Sequence, residues 1–159
     1  MLSVKSLGAA DSELAGYYES LARDDYYEAG GEPPGRWFGG LAGDLDLYGT
    51  VRPGQLGAVF RGQHPLTQQA LSKNAGEGHK AGWDLTFSAP KSVSLLWAIE
   101  ETTTQTAIAR AHEVAVQRAL AYLELRAFSS RDRQDANAGR GALLAAVFEH
   151  GTSREMDPQ

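Results

Sequence analysis

Trp83-Asp84-Leu85-Thr86-Phe87-Ser88-Ala89-Pro90-Lys91-Ser92-Val93-Ser94 is the sharpest strand-to-helix junction in the 159-residue chain. Trp83, Leu85 and Phe87 alternate with Asp84 and Thr86, the period-two pattern of a half-buried strand. Ser88 offers a helix N-cap, and Pro90 falls near the first helical position, where its missing N–H costs nothing. Val93, Leu95, Leu96 and Ile99 are then expected to form the apolar face of the helix. Asp84 therefore sits on a rigid strand, on the face opposite its apolar neighbours. It is either a polar-face residue or a placed catalytic group.

Upstream, Leu2 to Leu7 reads as a short strand. From Asp11 to about Arg23, Leu14, Tyr17, Tyr18 and Leu21 follow helical spacing, with Asp11 or Ser12 able to cap. Tyr26 and Tyr27 come as that helix ends. Gly30-Gly31-Glu32-Pro33-Pro34-Gly35 is a turn-rich break. Thr50 to Arg61 reads as a short helix, and Gln63 to Gly82 as a loop carrying His64, Lys73, His79 and Lys80. A loop of that length in a compact domain is usually functional or mobile.

Downstream, Thr102 to Thr104 can cap a long helix running to about Phe128. Its expected buried stripe is Ile108, Ala111, Ala115, Ala119, Tyr122 and Leu123, with His112 on the exposed or boundary side. Ser129 to Gly141 is a polar, arginine-bearing connection. Leu143 to Phe148 is short and apolar enough for a buried strand leading to His150. No repeat or linker divides residues 1–159, so one domain is expected.

The 42% hydrophobic and 22% charged composition is that of an ordinary globular chain. With no cysteine there is no disulfide, thiolate metal site or cysteine nucleophile. No stretch is long and apolar enough to span a bilayer, and the N-terminus lacks a signal-peptide pattern, so a soluble intracellular protein is expected. The net charge of -5 argues mildly against nucleic acid. Acid, however, gathers early and basic residues later, and a basic face can exist on an acidic protein.

Tyrosine pairs at Tyr17-Tyr18 and Tyr26-Tyr27 are either amphipathic packing residues or nucleophiles. A phenol titrates near 10 in water. To attack a phosphodiester it needs a base or a nearby cation. Trp37, Phe38 and Tyr48 are stacking platforms for single-stranded nucleic acid or core residues. The basic loop around Lys73 and Lys80 is a DNA contact or a solvated surface.

The run from Asp84 to Ser94, the two tyrosine pairs, and the closing Phe148-Glu149-His150-Gly151-Thr152-Ser153-Arg154-Glu155-Met156-Asp157-Pro158-Gln159 stand in one order along the chain. In that order, over Leu2 to Gln159, the chain resembles the N-terminal relaxase domain of the TrwC/TraI type, the MobF class of conjugative relaxases within the HUH endonucleases. The resemblance implies an α+β fold, an antiparallel sheet flanked by helices. It also implies metal-dependent nicking of one DNA strand at a transfer origin, through a 5′-phosphotyrosyl intermediate.

Carried over residue by residue, Tyr17 would be the nicking nucleophile and Tyr26 would serve strand transfer. Tyr18 and Tyr27 would be packing or DNA-facing neighbours. Asp84 would assist the nucleophile and orient a metal-ligand histidine. His150 would be the first ligand of a three-histidine site for a divalent metal, magnesium or manganese. Lys73, Lys80, Lys91 and Arg154 would contact DNA. The partners implied are single-stranded DNA at a transfer origin and relaxosome or coupling proteins, in the cytoplasm.

The family pattern continues past Asp-Pro-Gln to a His-x-His pair, whereas these are the last residues of this chain. The expectation is a sheet and metal site incomplete at the C-terminus, and weak or no nicking by these 159 residues alone. The alternative is a non-catalytic single-stranded DNA-binding module.

Overall fold

The computed structural model describes residues 1–10, 12–21, 34–128 and 143–150. Strand β1 (Leu2–Ser6) is followed by helix α1 (Ser12–Leu21), strand β2 (Arg36–Phe38) and short helices α2 (Gly40–Asp44) and α3 (Gln55–Phe60). Strand β3 (Trp83–Phe87), helix α4 (Lys91–Ile99), helix α5 (Thr102–Leu123), a π-helical turn (Glu124–Phe128) and strand β4 (Ala145–Val147) complete the order. The chain is mixed α and β. Among the described residues the strand pairing is antiparallel and forms two two-stranded sheets, β1 with β3 and β2 with β4.

The register of the first sheet sets Val4 opposite Leu85 and Lys5 opposite Asp84. One face therefore carries Leu2, Val4, Trp83, Leu85 and Phe87, and the other Lys5, Asp84 and Thr86. Asp84 lies on the face the alternation predicts. The apolar face is less covered than expected: Leu2, Val4 and Trp83 are exposed.

The core lies instead around Leu7, Ala10, Val51, Leu56 and Phe60, with Leu14, Tyr18, Trp37, Ala81, Ala146 and Phe148 packed against it. A smaller cluster of Ala42, Leu45 and Leu47 also meets Trp37, so this indole joins the two. Its Nε1–H donates to Gln55 Oε1 at 3.3 Å. Trp37 is thus a core residue, while Tyr48 is exposed. Gly35 sits where β2 meets Phe148, and a Cβ there would run into the phenyl ring.

Three sequence expectations shift. Ser88 does not cap α4: its N–H donates to the Met1 carbonyl at 2.8 Å, extending the ladder by one residue. Pro90 takes the cap position, and its carbonyl accepts from Val93 and Ser94. The inner side of α4 is Ser94, with Val93 and Trp97 half-buried, whereas Leu95, Leu96 and Ile99 are exposed. On α5 the inner stripe is Ile108, His112, Val116, Leu120 and Leu123, so Ala111, Ala115, Ala119 and Tyr122 lie outside it. The three alanines line an open groove of about 580 Å³ that reaches Leu2 and Phe87 of the sheet.

The segment from Gln63 to Gly82 has neither helix nor strand, yet it is tied down. Leu71 N–H donates to Gly62 O at 2.9 Å and Gly76 N–H to Arg61 O at 2.8 Å. Bridges pair Gln63 with Ala70 and Lys80 with Ala9. His79 Nδ1 lies 2.8 Å from the Phe60 carbonyl, which can only accept, so this nitrogen carries the proton.

Candidate functional site

Helix geometry separates the first tyrosine pair. Consecutive residues on a helix point about 100° apart, so only one of Tyr17 and Tyr18 can share the inward face of Leu14. Tyr18, four residues on, is that one: it is half-buried and packs against the core cluster. Its ring meets Phe60 edge-on at 5.3 Å between centroids and Tyr17 edge-on at 4.9 Å. Tyr17 stays 42% exposed, accessible to a large substrate.

The Tyr18 hydroxyl donates to Asp84 Oδ2 at 2.8 Å, joining α1 to β3 across 66 residues. Asp84 is half-buried on the polar face of β3. The structure thus brings together a partly exposed tyrosine, a second tyrosine in edge contact with it, and a carboxylate bonded to the second. A carboxylate so placed can accept a proton and hold a phenol in orientation. Sequence reasoning paired Asp84 with the reactive tyrosine and did not foresee the Tyr18 bond. The four-residue spacing from Leu14 signalled that Tyr18 turns inward, but not which residue it meets.

Lys80 and Trp83 form a second feature, with the Lys80 ammonium 4.5 Å from the indole centroid. Both are exposed. Lys73 is exposed in the same loop, and Lys91 is exposed at the first residue of α4. His150 is exposed, three residues beyond the end of β4. Phe148, between them, packs on the cluster that also holds Tyr18. Tyr26, Tyr27 and Arg154 lie outside the described residues.

The other histidines have local work. His64 Nδ1 accepts from Leu66 and Thr67 N–H in its own turn. His79 is fixed by Phe60, and His112 lines the α5 groove. Among the described residues no group of three His, Asp or Glu side chains could hold a metal. One imidazole does not make a metal centre, so the residues in view do not fit a metal on their own.

The fold has solved counterparts. Conjugative relaxase TrwC in complex with OriT DNA, metal-free, matches with a TM-score of 0.70 and 30% identity, over 99% of this chain and 52% of that one. A copper-bound TrwC complex with OriT DNA matches with a TM-score of 0.70 and 34% identity, over 99% and 54%. The fold is therefore that of a relaxase. The multifunctional conjugation protein TraI of Escherichia coli is 36% identical over 162 residues, 98% of this chain and 8% of TraI. TraI of strain K12 is 34% identical over 165 residues, 100% of this chain and 9% of that protein.

The family model of the TrwC relaxase matches residues 11–159, and the chain belongs to that family. It spans less than a tenth of the TraI proteins and about half of the TrwC chains.

Proposed function

We propose that this chain carries the nucleophile-bearing part of a relaxase that nicks one DNA strand at a transfer origin. The observation that carries the reading is the line from exposed Tyr17 through Tyr18 to Asp84. Membership of the TrwC relaxase family supports it, as does the likeness to TrwC bound to OriT DNA.

In the step proposed, the Tyr17 phenol oxygen attacks the scissile phosphorus and its proton passes to Asp84. A bond forms between Tyr17 Oη and phosphorus. The bond from phosphorus to the 3′ oxygen breaks, and that oxygen takes a proton from water. The product is a 5′-phosphotyrosyl strand and a free 3′-hydroxyl, so a second attack can reseal the DNA. Tyr26 is proposed for that second transfer. His150 would supply one imidazole toward a divalent metal, magnesium or manganese, and no step above runs through it. Lys73, Lys80, Lys91 and Arg154 are proposed to hold the single strand, and the setting proposed is a cytoplasmic relaxosome.

The test is covalent capture. An oligonucleotide spanning the cognate transfer origin, incubated with the intact relaxase, should yield an adduct that Tyr17→Phe abolishes and that maps to residue 17. An adduct that persists in Tyr17→Phe overturns the assignment of the nucleophile. A second reading, a non-catalytic single-stranded DNA-binding module, is favoured by the exposed Lys80–Trp83 pair. It predicts salt-sensitive binding with no adduct under any condition.

A further inference from the structure

We propose that Tyr18 is the positioning residue of this site: its hydroxyl fixes Asp84 so that the other carboxylate oxygen serves Tyr17. The inference rests on the reading of Asp84 as the group that assists Tyr17. Asp84 Oδ2 is occupied by the Tyr18 O–H at 2.8 Å, and among the described residues no further side-chain donor meets this carboxylate. An aspartate side chain has two rotatable bonds, and a hydrogen bond of ordinary length from a fixed donor restricts both. The donor is itself held. The Tyr18 ring is wedged edge-on between Tyr17 and Phe60, and Phe60 is buried in the core.

The same contacts make Tyr18 a poor nucleophile and a good strut. A reacting phenol must reach a phosphorus flanked by sugar on both sides, and the half-buried ring of Tyr18 is pinned against the core. Tyr17 has the exposure and touches the strut. Orientation of this kind acts on rate through geometry rather than affinity. The two members of the pair thus divide the work: one reacts, and the other aims the carboxylate.

The test uses the 159-residue chain and needs no DNA recognition. An aryl sulfonyl fluoride reacts with activated phenols, and peptide mapping reads its rate at Tyr17 in four proteins: the parent, Tyr18→Phe, Asp84→Asn and the double variant. Tyr18→Phe should slow labelling of Tyr17 by about tenfold, and should add nothing once Asp84→Asn is present. If Asp84→Asn slows labelling and Tyr18→Phe does not, the positioning role is overturned and the Asp84 reading survives. If the two effects simply add, Tyr18 acts independently of Asp84 and the proposal falls. If neither change slows labelling, the Asp84 reading itself is lost. The carbon-13 signal of the Asp84 carboxyl provides a second readout. It should move in Tyr18→Phe; a signal unmoved by Tyr18→Phe counts against the proposal.

Discussion

Ser72 buries a hydroxyl oxygen that meets no hydrogen-bond partner among the described residues. A buried, unsatisfied hydroxyl costs its desolvation and returns nothing. Ser72→Ala should therefore be neutral or stabilise by up to about 1 kcal/mol in urea unfolding, whereas a clear loss would show that the hydroxyl is engaged. Gly62, beside it, behaves in the opposite way. Its φ is +66°, and a Cβ would lie 2.8 Å from the His79 ring and 2.9 Å from Ser72 Oγ. Gly62→Ala should cost about 1–3 kcal/mol in the same measurement. Neither effect can be read from the sequence, because both depend on the loop folding back on itself. The tyrosine pair was half legible. Spacing from Leu14 selects Tyr18 as the inward ring, but its carboxylate partner lies 66 residues away, beyond any local pattern.

Glu124 is a side chain that joins separate elements. From the π-helical turn after α5, its Oε1 accepts the Gly40 N–H at 2.7 Å and the Leu143 N–H at 3.0 Å. Thermal unfolding should show Glu124→Ala losing about 1–3 kcal/mol, since two backbone donors lose their acceptor. Glu124→Gln keeps an acceptor oxygen and should lose less. The strand at Trp83 and the helices after it were legible because their apolar periods are distinct. The phase of α5 was not. Alanines at 111, 115 and 119 suggested one stripe, while Val116 and Leu120 turned another inward. Alanine buries too little area to decide such a contest. Strand β2 was missed because three residues carry no period.

At the scale of the whole chain, a net charge of -5 and a proposed nucleic-acid partner pull in opposite directions. If three of the proposed cations contact phosphate, single-stranded oligonucleotide binding should weaken roughly 10- to 20-fold between 50 and 200 mM salt. Fluorescence anisotropy would check this, and salt-independent binding would exclude the contacts. The α5 groove offers a second measurement. It is open and lined mostly by apolar residues, so an anilinonaphthalene sulfonate dye should fluoresce with the chain. Ala115→Glu should quench that signal several-fold at unchanged helicity. The antiparallel α and β character was legible from alternation and helical spacing. The division into two small sheets was not, since it rests on which strands find one another. The tied segment from Gln63 to Gly82 bears on how the molecule is handled. A protease ordinarily enters where regular structure is absent, yet here cleavage after Lys73 or Lys80 requires first breaking a closed circuit of main-chain bonds. Trypsin should leave both sites intact until the domain itself opens, so a digestion ladder would report global unfolding rather than a local nick.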